Sequence, residues 1–380
     1  MHIEINQKSV YGPIRYEATR PYAVALGRLH MAHFKQGASS RLRFVHQVLP
    51  DMLRSAMKKL GRPQGPGPGQ AEHVNVQVFG QFMDAGKVIF DVAQPLSQCL
   101  LLTDADDIPC GEIFLPCPAF YLHFGQASGL SGDEVSIEGV FISGDSNALM
   151  MDLVPKGFGS PFFISSIEGE PLIHARVDLQ DPSMPATLAL EQSVRMIQRQ
   201  RDNALALHKE QEALLEAQYG QIVKAPSPVE SLDKHLPLIR KALGLILNTL
   251  FYLSAEPEDV IEQWSQDVPG EALETIRTTD KTGTRNTIEN TLKKAGYTKV
   301  RYIGHMFTAS KTGNDFKDAV SEGHTIATHF RRGHFRRQPH GPQRSLRKTI
   351  FVAPVLVNAG KGEPAGRVYE VVTDPKVRSL

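Results

Sequence analysis

The stretch with the densest chemical potential is His329 to Lys348, HFRRGHFRRQPHGPQRSLRK, which spells His-Phe-Arg-Arg twice around Gly333. Seven Lys and Arg fall between Arg331 and Lys348, and no Asp or Glu occurs from Gly323 to Gly362. Guanidinium forks match the oxygens of phosphate, and imidazole either donates to phosphate or stacks on a base. The expected RNA-contacting set is His329, Arg331, Arg332, His334, Arg336, Arg337, His340, Arg344, Arg347 and Lys348. A chain holding several phosphates this way binds single strands with a log-log salt slope of about −0.7 per contact.

Two other chemistries compete for the same residues. A ribonuclease needs a base for the 2′-hydroxyl and an acid for the leaving oxygen, roles open to His329 and His334, with Arg336 stabilising charge on phosphorus. A metal site built from His324, His329, His334 and His340 is disfavoured by the arginines around it and by the lack of supplementing acid or cysteine. A third possibility is a phage structural or scaffold protein whose basic tail pairs with its own acidic sheet. No P-loop, nucleophile-elbow or HExxH pattern occurs, and no cofactor is expected.

The repeat has a geometric requirement. Residues five apart on an unbroken strand face opposite sides, so Phe330 and Phe335 share a face only if one residue is absorbed. A bulge at Gly333 would do this, burying both rings and turning His329, Arg331, His334 and Arg336 outward. The expectation is therefore a long basic hairpin whose two strands are HTIATHFRR and KTIFVAPVLVNAG, followed by a third strand at RVYEVV.

The elements that position this hairpin differ in charge. Net charge is +1 over 380 residues, but residues 1–62 carry +8, 63–190 carry −13, 191–322 carry −2 and 323–380 carry +8. Two basic ends around an acidic middle point to partners of both signs, or to one part covering another.

Residues 36–60 place Leu42, Val45, Val48 or Leu49, Leu53, Met57 and Leu60 at helical steps, with a kink expected at Pro50. GRPQGPGPGQ then breaks the helix. From Glu72 to about Gln180 the pattern turns to period two in HVNVQVFGQF, KVIFDVA, EIFLPCPAFYLHFG, EVSIEGVFISG and PLIHARVDL, predicting a mostly antiparallel sheet with one wetted face and its acids on edges and turns. Residues 186–223 read as one long helix. Pro226 and Pro228 end it, and an apolar helix over 232–253, a segment EPEDVIEQWSQ and a helix at RNTIENTLKKAG follow. The fold class is α+β: a mostly antiparallel N-terminal sheet, long central helices and a C-terminal basic β-hairpin or meander. The divisions are 1–62, basic and helical; 63–225, acidic sheet plus long helix; and 226–380, helices followed by the basic hairpin.

The run LGLILNTLFYL is about half the length of a bilayer span and reads as a buried helix, so no membrane partner is expected. Cys99, Cys110 and Cys117 lack CxxC spacing and suit buried thiols in a reducing cytosol. The polar N-terminus is unlike a secretory signal.

THFRRGHFRRQPHGPQRSLRKTIFVAPVLVN, together with LPCPAFYLHFG at Leu115 to Gly125, resembles the anti-CRISPR family of phages and plasmids directed against the type V-A Cas effector nuclease, the family linked to loss of the effector's messenger RNA. The resemblance implies an inhibitor that recognises the nascent N-terminal peptide of the effector at the ribosome while the message is destroyed, by this chain or by a recruited host nuclease. Its implied setting is the cytoplasm of a bacterial host. Its implied partners are nascent Cas effector polypeptide and mRNA or ribosome. No family nuclease motif maps onto this sequence, so the resemblance assigns no catalytic residue, and it leaves the peptide-binding residues unassigned.

Overall fold

The computed structural model describes residues 9–59, 70–125, 129–132, 135–158, 173–219, 232–305, 307 and 329–357. Its centre is a seven-stranded sheet, in the order β6-β5-β4-β3-β1-β8-β7. The strands are β1 (Ile89–Val92), β3 (Ala119–His123), β4 (Ile137–Gly144), β5 (Ala148–Pro155), β6 (Ile173–Asp178), β7 (Val260–Trp264) and β8 (Lys299–Ile303). β1 runs parallel to both β3 and β8, and the outer neighbours pair antiparallel.

Alternation along these strands feeds two cores, not one. Phe90, Val92, Phe120, Leu122, Val140 and Ile142 point into the larger core. Ile89, Tyr121 and Phe141, one position out of step, join Tyr11, Tyr16, Phe79 and Phe82 on the other side. All five residues of β3 are buried. The expected wetted face is thus absent at the sheet's centre, because helices cover both sides of it.

One of those covers is a helix where a strand was expected. HVNVQVFGQF lies within α5 (Gln70–Asp84), packed on α2 (Pro21–Lys35). Its valines and phenylalanines fit both periods, since Val76, Phe79 and Gly80 are also spaced as a helical stripe. The two helices meet at glycines: a Cβ on Gly80 would stand 2.9 Å from the Gly27 carbonyl oxygen and 3.1 Å from its Cα. The predicted 36–60 helix forms as α3 (Ala38–Arg43), a π-helical turn over Phe44–Val48 and α4 (Leu49–Lys59). The Leu49 amide donates to the Phe44 carbonyl, so the wide turn falls just ahead of Pro50, where a missing N–H disturbs the ladder.

The other face carries α6 (Gln94–Leu101), α7 (Ala186–Tyr219) and α8 (Leu232–Ala255). α7 is 34 residues long, about 51 Å. α8 is the predicted apolar core helix, with Ile239, Leu243, Ile246, Leu250 and Phe251 buried. EPEDVIEQWSQ, read with the helices, instead supplies β7 at the sheet edge, where the β-branched pair Val260 and Ile261 suits the pleat. α9 (Gly270–Thr278) and α10 (Thr282–Lys294) close a small cluster beside it around Ala272, Leu292 and Tyr297.

The C-terminal segment forms the predicted hairpin. β10 (Gly333–His340) pairs antiparallel with β11 (Leu346–Val352) and, through its first residues, parallel with the short β2 (Thr103–Asp104). β9 (His329–Arg331) pairs antiparallel with β12 (Val355–Val357). His324 and the RVYEVV segment lie outside the described residues.

Candidate functional site

Aromatic packing fixes the hairpin to the body. Phe335 is 5% exposed and its ring centroid lies 5.6 Å from Phe251 and 5.3 Å from Phe351, which in turn stands 5.2 Å from Tyr252. The base of the hairpin thus sits on α8, and its tip extends to Gly341, which has φ +74°.

The predicted bulge at Gly333 does not form. Arg331 pairs with Val355 and His334 with Val352, so the register is the same on both sides of the glycine and no residue is absorbed. Nothing restores parity between Phe330 and Phe335, and Arg331 and Arg336 do not share one continuous row. The glycine serves close approach instead. A Cβ there would lie 2.6 Å from Thr103 Oγ1 and 2.8 Å from Pro354 Cδ, so a side chain would push β2 and Pro354 away.

The cations separate into two groups. Arg337 shares a face with Phe335; its Nη2 stands 3.2 Å from Glu112 Oε1, and Thr349 Oγ1 donates to Glu112 Oε2 at 2.9 Å. Arg332 is exposed and faces the acidic turn at Asp104 to Asp107. Burial, then Asp104 and Asp107, raise the Asp106 pKa, and Arg332 opposes this. These two arginines do meet the protein's own acids.

Arg331, Arg336, His340, Arg344, Arg347 and Lys348 are exposed, and His334 is half-buried. Arg336 donates to Gln338 Oε1 at 2.5 Å, and Arg347 donates to the backbone oxygens of Arg344 and Leu346. These neutral acceptors hold the guanidiniums in place without cancelling their charge. The His329 side chain lies outside the described residues. His329 and His334 are five strand positions apart, about 16 Å of extended chain. Among the described residues no group of three or more His, Cys, Asp or Glu is placed to hold a metal.

The structure also assembles a polar cleft that the sequence patterns did not disclose. It lies beyond the carboxyl ends of the parallel strands β1, β3 and β8, has a volume of about 820 Å³, and is lined by Tyr11, Arg15, Asp91, His123, Trp264 and Tyr302 among others. The crevice outside parallel strand ends is the usual ligand position in sheets of this kind. Tyr11 Oη donates to Asp91 Oδ2 at 2.9 Å and lies 3.5 Å from Tyr302 Oη. Burial raises the Asp91 pKa from 3.8 to about 6, against the opposing Tyr11 hydrogen bond. Burial, helped by Arg15, lowers His123 to about 4, so this imidazole is neutral. Arg15 is paired with Glu138 and donates to the Ser9 and Phe158 carbonyls.

Asp91 and Glu138 had been expected on edges and turns and are instead inside the sheet. The available signal was a charged or polar residue flanked by buried apolar ones: Asp91 between Phe90 and Val92, and His123 between Leu122 and Phe124.

A model described as the AcrVA2-like, anti-CRISPR type V subtype A2 family matches residues 90–359, more than two thirds of the chain. The match spans the sheet from β1 onward and the whole hairpin. A solved structure described as the crystal structure of AcrVA2 is similar, with 14% identity and a TM-score of 0.40, covering 91% of this chain and 97% of that one. No curated protein matches the sequence.

Proposed function

The chain belongs to the anti-CRISPR type V subtype A2 family, and from that premise we propose that it blocks synthesis of a Cas effector nuclease by recognising the effector's nascent N-terminal peptide and promoting loss of its mRNA, with the basic hairpin contacting RNA or the ribosome. Family membership supports the anti-CRISPR activity itself. The route through the message is proposed to run in the cytoplasm of a bacterial host.

The observation that carries the reading is the cation set on the hairpin. Arg331, Arg336, Arg344, Arg347 and Lys348 stand exposed on a β-ribbon whose base is pinned by Phe335 and Phe351. A rigid ribbon of guanidiniums meets a phosphate backbone with little side-chain ordering beyond that already imposed by Gln338 and the backbone carbonyls. In this reading the hairpin binds the message and a recruited host nuclease destroys it.

The test expresses the effector with either the wild-type protein or a variant carrying glutamine at positions 336, 344, 347 and 348, and measures effector message. The variant is expected to fold normally and to leave the message intact. Message loss equal to wild type would remove the hairpin from the mechanism.

A further inference from the structure

We propose that the cleft beyond β1, β3 and β8 is a binding site for a primary ammonium group, with Asp91 as its counter-ion. The proposal does not rest on the hairpin's contacts. Its starting point is an uncompensated charge: among the described residues Asp91 has Tyr11 as hydrogen-bond donor and no cationic partner. A half-buried carboxylate left without a cation is costly to a fold, and such groups cluster at functional sites.

The surroundings define what fits. Arg15, the one arginine among the described residues lining the cleft, is occupied by Glu138 and two carbonyl oxygens. His123 is neutral and its Nδ1 is buried without a hydrogen-bond partner. His305 is turned to Asp259, 2.9 Å away. Tyr11 and Tyr302 add hydroxyls beside Asp91, and Trp264 supplies an aromatic wall. The lining therefore offers one unpaired carboxylate, neutral acceptors and ring surface. An ammonium with three donors satisfies that set, whereas an anionic ligand would face Asp91 with no free cation among the described lining residues to oppose it.

Trp264 is the sole tryptophan of the chain, so its fluorescence reports on this cleft. Two probes separate the possible sources of the amine: leucine amide for a chain amino terminus and Nα-acetyl-lysine methylamide for a side chain. At pH 7.5 at least one should give a saturable change, and its N-acetylated counterpart should bind about tenfold more weakly or worse. Affinity should then fall as pH drops from 7.5 to 5, because protonating Asp91 removes the counter-ion. His123, lowered to about 4 by burial, stays neutral over that span. Asp91→Asn should abolish the preference for amine over amide. Saturation by neither probe, equal binding of the acetylated forms by the wild-type protein, or an unchanged preference in Asp91→Asn would each overturn the assignment. The acetylated comparison needs no variant, so the outcome does not depend on how Asp91→Asn folds.

Discussion

Replacing Asp91 by Asn should make the protein more stable at neutral pH and leave it nearly unchanged in acid. In the folded chain the carboxyl titrates at about 6, up from 3.8, because burial penalises its charged form. A raised carboxyl pKa means that the native state binds more protons than the unfolded state between the two values. Stability then falls as pH rises through that window. About two pH units correspond to a penalty of up to ~3 kcal/mol at pH 7.5, shrinking to ~1 kcal/mol near pH 4.5 and vanishing below the unfolded value. Asn keeps the shape and an acceptor for the Tyr11 hydroxyl but carries no charge. Urea unfolding of both proteins at pH 7.5 and pH 4.5, followed by circular dichroism, measures the difference. A gain at pH 7.5 that shrinks in acid supports the reasoning. A loss of stability at pH 7.5, or a gain equal at both pH values, would show that Asp91 is not held as an unfavourable charge.

Four further outcomes follow from packing and titration. Phe335→Ala should cost about 3–5 kcal/mol, the usual effect of emptying a buried ring site, because the ring fills the contact between Phe251 and Phe351; chemical denaturation reads the loss. Gly80→Ala should destabilise by about 1–3 kcal/mol through overpacking against Gly27, whereas Gly244→Ala, with nothing within 4 Å of the added carbon, should stabilise α8 by about 0.5–1 kcal/mol. The neutral buried histidines His30 and His123, both lowered to about 4 chiefly by burial, bind protons more readily when unfolded. They should therefore withdraw stability as pH falls from about 6.5 to 4, and His123→Gln should lessen the acid loss in a pH series of melting curves.

What was legible in the sequence was what local period and punctuation encode. The α8 core helix follows from its unbroken apolar run, and the hairpin follows from β-branched strands around Gly341 and Pro342. HVNVQVFGQF misled because alternating valines satisfy a strand while Val76, Phe79 and Gly80 also satisfy a helix, and only packing on Gly27 decides. Gly333 suggested a bulge because the five-residue repeat needs one to keep parity, and local sequence could not show that Thr103 and Pro354 instead crowd it from both sides. Charge was read as exposure, which placed Asp91 and Glu138 on edges. Burial of these acids depends on Tyr11 and Arg15 arriving from the N-terminal helices. The cleft escaped notice for the same reason: Tyr11 and Tyr302 meet across 291 residues, a closeness that no spacing rule contains.

The central claim is that the hairpin's cations contact RNA, and the salt dependence of binding tests it most directly. The purified protein and a single-stranded RNA are titrated from low to moderate salt, beside the variant with glutamine at positions 336, 344, 347 and 348. Each lost phosphate contact should flatten the log-log slope by about 0.7, so the variant should lose up to about 3 from its slope, whereas Arg337→Gln, whose arginine already faces Glu112, should change it far less. Identical slopes for wild type and the four-site variant, or no RNA binding at low salt, would contradict the account.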